Sequence, residues 1–306
     1  MRKTTTWSWM GLALVGAVLA WTGAAPALAE EPSGGYAGTE TCLGCHDGKA
    51  LTGTAHGRPA FAQASALGCE ACHGPAAGHA NDPDDLALRP RKVDAMKAAD
   101  ASSVCLSCHA GGNQGLWEGS AHAARQLSCV TCHSVHAAKS DKAQLKAANA
   151  MESCYACHRD VRAETFKNSH HPIREGKIGC ADCHNPHGSP GEKMVVAASV
   201  NDLCYSCHAN YRGPFVWEHP PVRENCLNCH TPHGSNHLYL QKTSIPFNCQ
   251  QCHANTRHPG TLYDGFKLPT LENEALGNVR LFNQACLSCH PMIHGSNSPS
   301  SPYLGH

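Results

Sequence analysis

Residues 180–189 read CADCHNPHGS and residues 226–235 read CLNCHTPHGS. Each opens with Cys-x-x-Cys-His and carries a second His three residues further on. The first five residues recur along the chain, at Cys42/Cys45/His46, Cys69/Cys72/His73, Cys105/Cys108/His109, Cys129/Cys132/His133 and Cys154/Cys157/His158. They continue at Cys180/Cys183/His184, Cys204/Cys207/His208, Cys226/Cys229/His230, Cys249/Cys252/His253 and Cys286/Cys289/His290. Together these motifs consume all 20 Cys of the 306 residues.

The spacing has a chemical reason. Two Cys three positions apart put both sulfurs on one side of a helical turn, where they can form thioethers to the vinyl groups of one haem. The adjacent His then lies beneath the macrocycle as the proximal iron ligand. Zinc sites also use Cys-x-x-Cys pairs, and an exported chain can build a disulfide framework, but neither needs a His directly after the second Cys. The motifs therefore imply ten covalently attached c-type haems, each with one iron.

Of the 23 His, thirteen are left once the proximal ligands are assigned. The chain divides into five two-haem modules, starting at Cys42, Cys105, Cys154, Cys204 and Cys249. In each, one spare His follows the first motif (His56, His122, His170, His219, His258) and another follows the second (His79, His136, His187, His233, His294). These ten are the expected distal ligands. His170 is preferred to its neighbour His171 by aligning HHPIR with HPPVR of the next module, and His237 and His306 are surplus. Two axial His of one iron have Cα atoms about 12 Å apart, whereas three extended residues reach only about 10 Å. His136, His187 and His233 are thus expected to reach a neighbouring haem rather than their own. Bis-His ligation leaves no open iron position, which argues for an electron carrier with low potentials and against an enzyme. Only Met96, Met151, Met194 and Met292 follow the leader described next, and none is needed as a ligand.

The N-terminus reads as a secretory signal peptide over residues 1–29: Arg2 and Lys3, an apolar run, then Ala27-Leu28-Ala29 before Glu30. A periplasmic mature chain of residues 30–306 is expected, with no later stretch near the ~20 apolar residues of a spanning helix. The formal charge of zero falls to about −2 without the leader. Nothing in it favours nucleic-acid binding.

Aromatic residues are 6% of the chain and charged residues 16%, so haem is expected to supply most of the apolar interior. At roughly 28 residues per haem, the fold is expected to be mostly loops with short α-helices and little or no β-structure, forming an elongated haem wire. Candidate helices are Lys92–Ser107, Lys142–Ala156 and Asn278–Ser288. Longer connections run over Gly74–Asp100 and Ala254–Ala285, and the tail from Gly295 to His306 is expected to be mobile. One domain is expected; an alternative division gives halves 30–167 and 168–306. Ten haems in a row would extend about 80–100 Å, against roughly 40–45 Å for a bilayer. Such a wire could cross a membrane only inside a sheath, for which a large β-barrel is the natural choice.

The segments GYAGTETCLGCH, HHPIREGKIGCADCHNPHGS, CYSCHANYRGPF and CLNCHTPHGSNHLYLQKTSIPFNCQQCH resemble the MtrA/DmsE family of periplasmic decahaem cytochromes, which includes MtoA and PioA. The resemblance spans nearly the whole mature chain. It implies haem attachment at all ten motifs and bis-His ligation. It also implies residence inside an MtrB-type outer-membrane β-barrel porin, linking periplasmic electron-transfer proteins to an extracellular multihaem cytochrome or terminal reductase. A free periplasmic shuttle and a multihaem reductase are the competing functions. The first would lack a tight membrane partner, and the second would need an iron with an open position.

Overall fold

Each Cys-x-x-Cys-His closes one helical turn. In all ten, the His amide donates to the carbonyl of the first Cys, four residues back, at 2.8–3.1 Å. That bond sets both sulfurs and the imidazole on one side of the turn. In a computed structural model these turns are set among short helices and loops, and residues 35–253, 285–299 and 303–305 are described. The leader, His258, His306 and nearly all of Ala254–Ala285 lie outside the described residues, as does most of the expected helix Asn278–Ser288.

The first motif of each module sits at the C-terminal turn of a helix: Thr39–Leu43, Ala98–Leu106, Ala150–Tyr155, Val200–Tyr205 or Phe247–Gln250. Asn149 starts the third of these by accepting the Glu152 amide at 2.9 Å, and Ser199 starts the fourth by accepting from Asp202 at 3.0 Å. Such caps satisfy amides that a short helix would otherwise leave unbonded. The second motif is a single turn, Glu70–His73, Cys129–Cys132, Cys180–Cys183, Cys226–Asn228 or Cys286–Ser288.

Downstream of the second motif the chain doubles back on the proximal His. His133 bridges Leu145, His184 bridges Val195, and His230 bridges Gln241. Each return is made by two left-handed residues without glycine: Ala143 and Gln144, Lys193 and Met194, Tyr239 and Leu240. This geometry shortens the expected helix Lys142–Ala156 to Ala150–Tyr155, because residues 143–144 are spent on the turn. The expected helix Lys92–Ser107 divides into a 3₁₀ turn, Val93–Ala95, and the helix Ala98–Leu106.

Modules are tied to one another by isolated bridges, Ser169 with Ser235 and Trp217 with Ser296. The second of these corrects the expectation of a mobile tail over its described part. Ser296 is fully buried, Trp217 Nε1 donates to Ser298 O at 2.9 Å, and the Val216 amide donates to Asn297 Oδ1.

Among the described residues the buried apolar side chains are Ala76, Ala101, Trp117, Tyr155 and Val195. Five such residues cannot supply the core of a chain this long. Strands are absent among the described residues apart from single bridges. This is the loop-and-short-helix architecture of a multihaem c-type cytochrome. No described helix is long and apolar enough to cross a membrane.

Candidate haem-binding sites

Eight proximal imidazoles each face a second His ring. The pairs are His109–His56, His73–His136, His158–His122, His133–His187, His208–His171, His184–His233, His253–His219 and His230–His294. Their ring centroids are 6.1–6.3 Å apart. A ring whose Nε2 lies about 2.0 Å from a metal has its centroid about 3.1 Å away, so two rings on opposite sides of one iron are about 6.2 Å apart. Direct stacking would not hold eight pairs at one separation while their interplanar angles range from 14° to 79°. The residues fit a six-coordinate haem between each pair.

Hydrogen bonds orient the rings for that role. Nδ1 of His73 donates to Arg91 O, and Nδ1 of His133, His184 and His230 to the carbonyls of the left-handed residues Ala143, Lys193 and Tyr239, at 2.6–3.0 Å. On the distal side, His136 donates to Lys49 O, His122 to Pro186 O, His171 to Pro232 O and His219 to Ile293 O, at 2.7–3.1 Å. A carbonyl can only accept, so the proton is on Nδ1 and the Nε2 lone pair faces the partner ring. Burial pushes the pKa of His56, His136, His187, His219, His233 and His294 below the ordinary value, which keeps the imidazole neutral, as a metal requires.

The pairing follows one rule. In all eight pairs the His after a first motif faces the proximal ring of the first motif of the next module, and the His after a second motif faces that of the second motif of the preceding module. Carbonyl acceptors interlock the two crossings: Pro186, Pro232 and Ile293 immediately precede the distal residues His187, His233 and His294. His136, His187 and His233 thus reach another module, as their short tethers require.

His170 is a correction. His171, not His170, faces His208. The Nδ1 of His170 donates to Lys167 O at 2.7 Å, and its Nε2 lies 3.0 Å from Arg174 Nη2 and 3.2 Å from Glu175 Oε1. The proper alignment is His171-Pro172 with His219-Pro220. In both, the ligand directly precedes the first Pro, and its Nδ1 bonds the carbonyl ahead of the partner module's distal His. The remaining candidate, His79, lies on the helix Ala77–Asn81 and forms no such ring pair among the described residues, nor does His46. Glu70 brings their surroundings together: its carboxylate accepts from the amides of Ala37, Gly38 and Ala76, each at 2.9 Å.

The cysteines form a file. Within each module the first Cys of one motif adjoins the first Cys of the other: Cys42 with Cys69, Cys105 with Cys129, Cys154 with Cys180, Cys204 with Cys226, Cys249 with Cys286. Sharing a proton raises the pKa of Cys105 and lowers that of Cys129 to about 6. Between modules the second cysteines adjoin closely enough to interact electrostatically: Cys72 with Cys108, Cys132 with Cys157, Cys183 with Cys207, Cys229 with Cys252. Every motif therefore neighbours the next in sequence.

Cys45 and Cys289 depart from the equivalence that ten identical motifs suggest. They are the second cysteines of the first and last motifs, and they are exposed, as Cys108, Cys132, Cys157, Cys207 and Cys252 also are. Among the described residues neither adjoins a cysteine of another module, unlike the other eight second cysteines. Their local turns are nonetheless the same as the rest. The Cys45 amide donates to Cys42 O at 3.3 Å and the Cys289 amide to Cys286 O at 3.2 Å, which keeps each sulfur beside that of its own first Cys.

The chain is 39% identical over 278 residues to the multiheme cytochrome MtrA of Shewanella baltica, covering 87% of this chain and 81% of that protein. It belongs to the MtrA family of multihaem cytochromes. As a member of that family, it is a multihaem c-type cytochrome that transfers electrons through covalently bound haem. The cytochrome c-type protein NrfB of Escherichia coli O6:H1 is 30% identical over 128 residues, covering 40% of this chain and 65% of the relative. Family models agree: a doubled CXXCH motif matches residues 170–213 and 219–258, a cytochrome c-type NrfB-like model matches 69–147, and a cytochrome c554 and c-prime model matches 22–74.

Proposed function

We propose that this MtrA-family cytochrome carries ten bis-His haems in a single file and works as a conduit across the outer membrane inside a porin-type β-barrel. Bound haem iron supplies reversible one-electron exchange between Fe(III) and Fe(II). The chain's part is to hold, order and enclose. The observation that carries the reading is the unbroken succession of neighbouring motifs, joined alternately through first and second cysteines. Among the described residues the file runs from the Cys42 motif to the Cys286 motif with no branch. That suits transport between two sides of a barrier better than storage.

The pairing rule extends to both ends. Applied to these ten motifs, the rule gives His79 and His258 no partner, and it leaves the irons of His46 and His290 with one ligand each. We assign His79 to the iron of His46 and His258 to that of His290. Cys45 and Cys289 would carry the thioethers of these same two terminal haems. Two imidazoles on every iron leave no coordination position for a substrate, so the protein is a carrier rather than an enzyme. Export by the leader at 1–29 places it in the periplasm, and a β-barrel of the MtrB type would shield its polar loops from lipid. Periplasmic electron-transfer proteins would meet one end, and an extracellular multihaem cytochrome or terminal reductase the other. The test is to solubilise outer membranes in mild detergent and follow the haem absorbance. A barrel protein co-migrating at fixed stoichiometry is expected, whereas recovery of the cytochrome alone from the periplasmic fraction would establish a free shuttle instead.

A further inference from the structure

The segments that follow the first motifs of the second, third and fourth modules are pressed against the glycine beside a distal His of the next module. Glycine permits the approach: a Cβ at Gly188 would strike Leu116 O, one at Gly234 would strike Glu164 O, and one at Gly295 would strike the Phe215 ring. The slot this creates beside the imidazole has different occupants. At His187 it is Trp117, with ring centroids 6.4 Å apart, and at His294 it is Tyr211, at 4.2 Å. At His233 it is a carboxylate, with Glu164 Oε2 lying 3.3 Å from Nδ1.

Glu164 is held there by its own helix, Arg159–Thr165. The next residue, Thr165, is fully buried and bonds Tyr155 OH through Oγ1 at 2.8 Å. Among the eight paired sets, His233 alone faces a carboxylate. The other oriented rings give Nδ1 to backbone carbonyls, and Nδ1 of His187 is buried with no hydrogen-bond partner.

We propose that Glu164 is a redox-tuning residue whose carboxylate, acting through His233, lowers the potential of the iron held by His184 and His233 below those of the neighbouring sites. A carboxylate behind a ligating imidazole makes it a stronger donor. Stronger donation and a nearby negative charge both favour Fe(III), which carries one more positive charge than Fe(II), so reduction becomes harder. The sites of His133/His187 and His230/His294 lack that charge, so the file acquires a low step near its middle. Electrons on either side of it then load separately.

The inference rests on the bis-His reading of this site, and the test separates the two. Holoprotein with Glu164→Gln, which keeps the side-chain shape, is titrated spectroelectrochemically with dithionite beside the wild type, and oxidised samples are compared by EPR. One tenth of the haem absorbance change is expected to move to higher potential. One low-spin EPR component is expected to shift while the others superimpose. Glu164→Asp, which retains the charge, is expected to fall between. Superimposable titrations and spectra in a fully low-spin protein would overturn the proposal and leave bis-His ligation standing. A new high-spin component in Glu164→Gln would also overturn it, since Glu164 would then be a strut for the loop. A high-spin component already present in the wild type would remove the ligation reading itself.

Discussion

Replacing His171 by Ala should open one iron in ten, and replacing His170 should open none. His171 is one of two imidazoles whose centroids stand 6.3 Å apart across a haem-sized gap. Its loss removes one axial ligand and strips Pro232 O of a 2.7 Å hydrogen bond. The lost bond costs about 1 kcal/mol, too little to unfold a domain. No spare His stands ready to substitute, because the Nε2 of His170 is held by Arg174 and Glu175. The assay is carbon monoxide binding to the dithionite-reduced holoprotein, which reads five-coordinate ferrous haem directly. His171→Ala should bind one tenth of a CO per haem, with a matching high-spin EPR signal in the oxidised state. His170→Ala should bind no more than the wild type. CO binding by His170→Ala, or none by His171→Ala, would refute the pairing and the interlock from which it follows.

Three further outcomes are expected. The axial ring planes of His56–His109 and His122–His158 cross at 79° and 63°, whereas those of His230–His294 cross at 14°. EPR of the oxidised protein should accordingly contain both large-gmax signals from crossed ligand planes and ordinary rhombic signals from parallel ones, and a single class would contradict these orientations. Gly234→Ala should destabilise the holoprotein by about 1–3 kcal/mol through overpacking against Glu164 O, read as a lower Tm by Soret circular dichroism. Glu70 is 3% exposed, and although burial alone would raise its pKa, three backbone amides outweigh that and lower it. Its contribution is therefore complete above the unfolded value of about 4.3 and is lost as pH falls through the lower folded value. Glu70→Ala should cost about 2–4 kcal/mol at neutral pH, with the difference from wild type shrinking in acid unfolding.

The haem motifs are legible in the sequence because they are covalent chemistry written in contiguous residues. Reach adds a second constraint: three residues cannot span an iron, so His136, His187 and His233 must look to another module. The direction of the exchange is not legible, because it depends on carbonyls such as Pro186 O and Pro232 O, which any residue supplies. The same reason defeats the choice between His170 and His171, where only the hydrogen bond across 61 residues decides. The helix Lys142–Ala156 is overextended because Ala143 and Gln144 adopt left-handed backbone without the glycine that would have announced a turn. Likewise the Ser296 tail looks like a linker by composition, yet it pairs with Trp217.

The most direct test of the central claim is electron transfer through a sealed membrane. The cytochrome would be isolated from outer membranes with whatever barrel accompanies it and reconstituted into liposomes enclosing a reduced viologen dye. Ferric citrate is then added outside. Rapid oxidation of the enclosed dye, dependent on the complex and abolished when the barrel is reconstituted without the cytochrome, is the expected result. Dye that stays reduced in vesicles carrying both proteins would contradict the account.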